Sequence, residues 1–224
     1  MNRSKLAMDF DAARQTMVDT QIRVNDVTDP AIVKAFQTIP RELFVPRPRR
    51  SIAYSELEIE TSEGRALWTA RDFAKLLQGC APKPSDIALI IGAGAGYETA
   101  ILSQLVETAI GLECDSELVD AASARFTKLA LDRAVAVEGD ISTGLPDQAP
   151  FDLILVNGMV EDVPTAWGQL LAEGGRMGLV VQVDKDLGRA RIYSRAGDTV
   201  SHRDVFDARP PKFDNFNRAP VFSF

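Results

Sequence analysis

Apolar and polar positions along this chain change period near residue 87. Downstream, apolar runs recur at 87–91, 109–113, 134–138, 151–156 and 176–183, separated by stretches with helical apolar spacing at 97–106, 116–129 and 164–171. A parallel pair of strands needs a long crossover between them, so strands alternating with helices predict an α/β fold with a doubly wound, mostly parallel sheet. Ser116 stands where a helix cap is needed, and Gly174-Gly175 interrupts the chain before the fifth strand. Two later runs, 190–195 and 200–206, flank Ala196-Gly197-Asp198. That is a hairpin signal, which adds antiparallel strands at one edge and brings the expected sheet to seven.

Upstream the pattern differs. Residues 8–38 have helical spacing, with Asp29-Pro30 as a helix start, and 40–66 are irregular and rich in Pro, Arg and Glu. Too few apolar residues lie here for an independent core, so residues 1–80 are read as a helical cap and loop region on a core spanning 81–224, the whole forming a single domain.

Composition narrows the function. Lys and Arg number 25 against 32 Asp and Glu, a formal charge of −7, so the surface repels phosphate backbones and nucleic acid is not an expected partner. The basic run with Arg41, Arg47, Arg49 and Arg50 is broken by Pro46 and Pro48 and reads as a solvated loop. No apolar stretch approaches the ~20 residues that span a bilayer, and Met1-Asn2-Arg3-Ser4-Lys5 is not followed by the apolar segment of a secretory leader. A cytoplasmic protein without membrane contact is expected. Cys80 and Cys114 have neither CxxC spacing nor histidine companions, so they read as small core residues, and no metal site is expected. The single histidine, His202, reads as a surface residue.

The candidate chemistry lies in Ile90-Ile91-Gly92-Ala93-Gly94-Ala95-Gly96-Tyr97. Glycines between a strand and a helix let the backbone turn sharply and approach a ligand, and Glu113, ending the next strand, can accept bonds from two ribose hydroxyls. A dinucleotide fingerprint needs a tiny residue in its sixth position for close helix–strand packing, and Tyr97 occupies it. The turn therefore favours S-adenosylmethionine, which has no pyrophosphate to seat, over NAD.

Met17-Val18 with Gln21-Ile22, Ile39-Pro40-Arg41-Glu42-Leu43-Phe44-Val45-Pro46, Ala53-Tyr54, the glycine turn with Tyr97, Gly139-Asp140, Ala149-Pro150-Phe151-Asp152 and Gly174-Gly175-Arg176 occur in one order over nearly the whole chain. Together they resemble the protein-L-isoaspartate O-methyltransferases, with Pro-Arg-Glu-x-Phe-Val-Pro the most specific piece. The resemblance implies methyl transfer from S-adenosylmethionine to the carboxylate of isoaspartyl residues, so the expected partners are damaged proteins or peptides bearing isoaspartate. It also implies that Gly92, Ala93, Gly94 and Gly96 line the methionine end of the cofactor, Glu113 the ribose, and Asp140 with Ile141 the adenine. Such chemistry needs few catalytic side chains, because a carboxylate nucleophile with an ordinary pKa of about 4 is already ionised at neutral pH. Positioning and exclusion of water do the rest.

Two departures stand out. The family's active loop is typically Gly-Gln-Thr-Ile-Ser-Gln-Pro, whereas this chain has Gly64-Arg65-Ala66-Leu67-Trp68-Thr69-Ala70, with Trp68 in place of the serine. The resemblance thus assigns the substrate loop to the region 1–80. Thr69 is the candidate catalytic hydroxyl after a one-residue shift, and Arg65 or Arg71 the candidate partner of a substrate carboxylate. Ile90 replaces the acidic residue that usually opens the glycine motif. The alternative is a non-catalytic or substrate-shifted member that keeps the cofactor-binding fold without the isoaspartyl loop.

Overall fold

The fold is seen in a computed structural model that describes residues 8–185, 187–213 and 216. The N-terminal pentapeptide lies outside them. Asp9 caps α1 (Phe10–Met17), whose register passes through a π turn (Val18–Ile22) and a 3-10 turn before Asp26 ends it at φ 63°. Asp29 then caps α2 (Pro30–Thr38) through its carboxylate and Pro30 fills the first helical position, as the dipeptide predicted.

The stretch read as irregular holds two 3-10 turns and an antiparallel hairpin, β1 (Ile59–Ser62) with β2 (Arg65–Leu67), turning at Gly64 with φ 65°. Its basic run is not uniformly solvated. Arg41 is buried, donates to the carbonyls of Ala53 and Trp68, and lies 4.8 Å from the Tyr97 ring centre. A guanidinium is tolerated there because carbonyls and an aromatic face replace its water.

After α3 (Ala70–Cys80) come β3 (Ile87–Ile91), α4 (Tyr97–Leu102), β4 (Thr108–Glu113), α5 (Ser116–Lys128) and β5 (Ala134–Glu138). The chain ends in β6 (Phe151–Val160), α6 (Thr165–Gln169), β7 (Leu171–Asp184), β8 (Leu187–Ala196) and β9 (Thr199–Ala208). Asp115, one residue before Ser116, is the true cap of α5. The sheet order is β5-β4-β3-β6-β7-β8-β9, parallel through β7 and antiparallel for the last hairpin, giving the seven mostly parallel strands expected.

Apolar side chains fill both faces of this sheet. One core joins Met17, Ile22, Phe36 and Phe44 of the N-terminal segment to Phe73, Tyr97 and Phe126. The other gathers Ile154, Trp167, Leu179 and Phe213. Arg176, part of the Gly-Gly-Arg signature, is structural: it donates to the carbonyls of Cys80, Ala81 and Asp152 and pairs with Asp86 at the strand ends away from the glycine turn. Cys80 is buried as expected, whereas Cys114 is exposed, because β4 stops at Glu113 and the thiol follows it out of the core. No described helix is long and apolar enough to cross a membrane.

Candidate functional site

In the strand order β5-β4-β3-β6-β7 the chain winds outward in opposite directions from β3 and β6. In open α/β sheets the crevice beyond the carboxyl ends of such a strand pair is where ligands bind. The glycine turn forms one wall of this crevice. Gly92, Gly94 and Gly96 have φ of 73°, 51° and 88°, a region side chains rarely enter, so glycine is required. The Gly92 and Ala93 amides donate to the Leu112 carbonyl at 2.9 and 3.0 Å, and the Gly94 amide donates to Glu113 Oε2 at 2.9 Å. The predicted glycines and Glu113 are thus brought together.

Tyr97 is fully buried and points away from the crevice, edge-on to Phe44 at 5.5 Å and Phe36 at 6.4 Å. The bulky sixth position therefore anchors the N-terminal segment to the core. Arg125 adds a second tie, donating to the carbonyls of Leu43 and Ala95.

The carboxylate is already engaged. Arg65, on β2, grips Glu113 in two parallel bonds, Nε to Oε2 and Nη2 to Oε1, both 2.8 Å. The Cys114 amide adds another at 2.8 Å. Burial by itself would raise the Glu113 carboxyl, but the Arg65 guanidinium and the two amides hold it below the usual carboxylate range. Arg65 thus pairs with the chain's own glutamate rather than standing free for a substrate. Arg71 is likewise committed, to Asp72 and Glu56.

A second side chain enters from the C-terminal segment. Met159 donates to the Pro211 carbonyl and Phe213 donates to the Met159 carbonyl, both at 2.8 Å, so residues 211–213 lie along the end of β6. Phe213 is 2% exposed, and its ring occupies the space beside two glycines, Gly92 of the turn and Gly158 of β6. A Cβ built on Gly92 would fall 1.8 Å from its Cζ, and one on Gly158 2.8 Å from its Cδ2. Arg65 stacks on the same ring at 4.8 Å, and Phe216 packs on both Phe213 and Trp167. A cavity of about 500 Å³ lies elsewhere, between Thr165, Tyr193 and Arg195, and includes no residue of the glycine turn.

The other expected residues are scattered around this center. Asp140 follows β5, exposed, with its carboxylate accepting from the Ser142 amide and hydroxyl, which lowers its pKa. Ile141 is buried, and its carbonyl accepts from Trp167 Nε1 at 2.9 Å. Ile90 is wholly buried within β3. Trp68 is buried too, edge-on to Phe73 at 6.4 Å, so the indole is a core residue where the family serine would stand. The Thr69 hydroxyl caps α3, accepting from the Asp72 amide at 3.2 Å.

Glu98 escaped the sequence reading. It is 1% exposed, and its Oε2 accepts from Asn157 Nδ2 at 3.4 Å, which also donates to the Gly92 carbonyl at 3.1 Å. Glu98 Oε1 and Asn157 Oδ1 have no hydrogen-bond partner among the described residues. Burial pushes the Glu98 carboxyl up to about 7.

Residues 12–208 match the family model described as protein-L-isoaspartate(D-aspartate) O-methyltransferase. A curated relative, the protein-L-isoaspartate O-methyltransferase of Roseiflexus castenholzii, is 35% identical over 203 residues, covering 90% of this chain and 92% of its own. Among solved structures, one protein-L-isoaspartate O-methyltransferase aligns with a TM-score of 0.79 at 22% identity, over 91% of this chain and 67% of its own. Another, from Plasmodium falciparum and in complex with S-adenosyl-L-homocysteine, aligns with a TM-score of 0.74 at 17% identity, over 92% and 98%. Those two structures share the fold.

Proposed function

We propose that this chain, which belongs to the protein-L-isoaspartate(D-aspartate) O-methyltransferase family, is an S-adenosylmethionine-dependent carboxyl O-methyltransferase acting in the cytoplasm on isoaspartyl residues of damaged proteins. The observation that carries this reading is the glycine turn with Glu113 drawn to 2.9 Å from the Gly94 amide at the β3–β6 crevice. Gly92, Ala93, Gly94 and Gly96 would flank the methionyl side, Glu113 the ribose, and Asp140 and Ile141 the adenine.

The backbone of this seat fits an adenosyl group, since three left-handed glycines keep Cβ atoms out of it and a carboxylate stands where ribose hydroxyls would donate. The side chains of this conformation do not fit it. Arg65 holds the acceptors the ribose needs, and Phe213 fills the space beside Gly92. The reaction thus starts from a conformation in which both have moved. An acceptor carboxylate needs no base to ionise it.

A second reading, a member that keeps the fold without isoaspartyl activity, is favoured by Trp68 buried at the serine position and Thr69 committed to a helix cap. Methyl transfer from labelled S-adenosylmethionine to an isoaspartyl peptide and to its aspartyl twin separates the two. Label on the isoaspartyl peptide alone is expected. No label on either peptide, from the parent chain or from Arg65→Ala with Phe213→Ala, would leave the second reading standing.

A further inference from the structure

We propose that Arg65 and the segment 211–213 together form an internal occupant of the cofactor crevice, so that the resting chain is closed to adenosyl ligands and opens only when both are displaced. This rests on the reading of the crevice as the cofactor seat. The two parts imitate the two ends of the ligand. Arg65 presents paired N–H donors to Glu113, as the two hydroxyls of a ribose would, and satisfies both oxygens. Phe213 is the apolar body that lies against both Gly92 and Gly158, at the turn where no Cβ intervenes.

The occupant is built rather than incidental. Two backbone hydrogen bonds to Met159 fix the segment along β6, and Phe216 backs the Phe213 ring against Trp167, whose indole N–H holds Ile141. Arg65 lies over that ring at 4.8 Å, so each half of the occupant supports the other. Their origins differ. Arg65 opens β2 within the segment 64–70 that leads through Trp68 to α3, whereas Phe213 follows the terminal hairpin. Displacing Arg65 therefore moves the loop aligned with the family's active segment, which couples cofactor entry to the arrangement of the acceptor side.

A closed majority state lowers apparent affinity by the fraction of molecules that are open, and a substitution that releases the lock restores it. The test is calorimetric titration of S-adenosylhomocysteine into the parent chain, Phe213→Ala, Arg65→Gln, their combination, and a chain ending at Pro210, with melting curves confirming that each is folded. Each single release is expected to tighten binding about tenfold or more over the parent. The combined variant is expected to gain less than the product of the two singles, because the halves lean on each other. Equal affinity in parent and variants would overturn the occupant while sparing the cofactor seat. No binding by any folded variant would overturn both. A variant that fails to fold is replaced by the truncated chain, for which unchanged or weaker affinity counts against the proposal in the same way.

Discussion

Raising the pH from 5 to 8 is expected to destabilise this protein through Glu98. Its carboxyl is pushed up to about 7 by burial, against an ordinary 4.5, with the backbone and the Arg41 charge opposing only in part. Between those values the folded chain holds a proton that the unfolded chain has released. Stability is then fully present below the unfolded pKa and is lost as the pH climbs through the folded one. With 1.36 kcal/mol per unit, the loss between pH 5 and 8 is about 2 to 3 kcal/mol, or about 5 to 10 °C in Tm for a chain of this size. The structural reason is plain: one carboxyl oxygen has no hydrogen-bond partner among the described residues and the other only a long contact to Asn157, so the backbone and Arg41 sustain a full charge only in part. Glu58 is also raised to about 7, by desolvation and the charge of Asp72, but it is exposed to water and is present in both chains, so its screened contribution cancels in a comparison. The measurement is therefore a difference: thermal melts of the parent and of Glu98→Gln at pH 5, 6, 7 and 8. The variant is expected to lose most of the decline and to match or exceed the parent at pH 8. Parallel curves for the two chains would refute the reasoning.

Tyr97→Ala is expected to cost about 3 to 5 kcal/mol, because it removes a fully buried ring that Phe36, Phe44 and Arg41 surround, whereas Tyr97→Phe should cost far less, its hydroxyl having no well-formed hydrogen bond among the described residues beyond the nearby Arg41 charge; urea unfolding checks both. Trp68→Ser, the obvious restoration of the family serine, is expected to lower Tm by about 6 to 20 °C through the cavity left beside Phe73, so its activity is to be read below that melt. Thiol labelling under native conditions should modify one cysteine, the exposed Cys114, while Cys80, buried and pushed up to about 12, reacts only on unfolding; two fast equivalents would contradict the burial.

The sheet was legible because its signals are local. Each parallel strand is an apolar run bounded by breakers, and Ile87–Ile91, Ala134–Glu138 and the Asp29-Pro30 helix start fall where the pattern put them. Errors arose where tertiary contacts override periodicity. β7 begins at Leu171 rather than 176 because pairing with β6 carries it across the two glycines, and α4 ends at Leu102 although its apolar spacing runs on to 106. The hairpin β1–β2 carries no clear sequence signal because its strands are short and polar on one side, and nothing in a basic run announces that Arg41 is the member enclosed by carbonyls.

The candidate site was legible in its backbone and illegible in its side chains, for a related reason. A strand, a glycine turn and an acid one strand later sit within one βαβ unit, so chain connectivity itself sets them together. What fills the space between them comes from far along the chain: Arg65 lies 48 residues before Glu113, and Phe213 follows the last strand. No spacing rule links such residues, although one asymmetry was visible: a loop that lost three hydroxyl or amide groups had gained a bulky indole and a guanidinium. An arginine near a buried carboxylate at the proposed cofactor seat has two physical destinations, the substrate or that carboxylate. With Glu113 buried and needing donors for both oxygens, the pairing that leaves no buried charge uncompensated is the internal one, and the fold adopts it. On the proposed reading an entering ribose would exchange a charge pair for two neutral hydroxyl donors while the guanidinium returned to water, so opening has to be driven by the rest of the bound ligand rather than by this exchange alone.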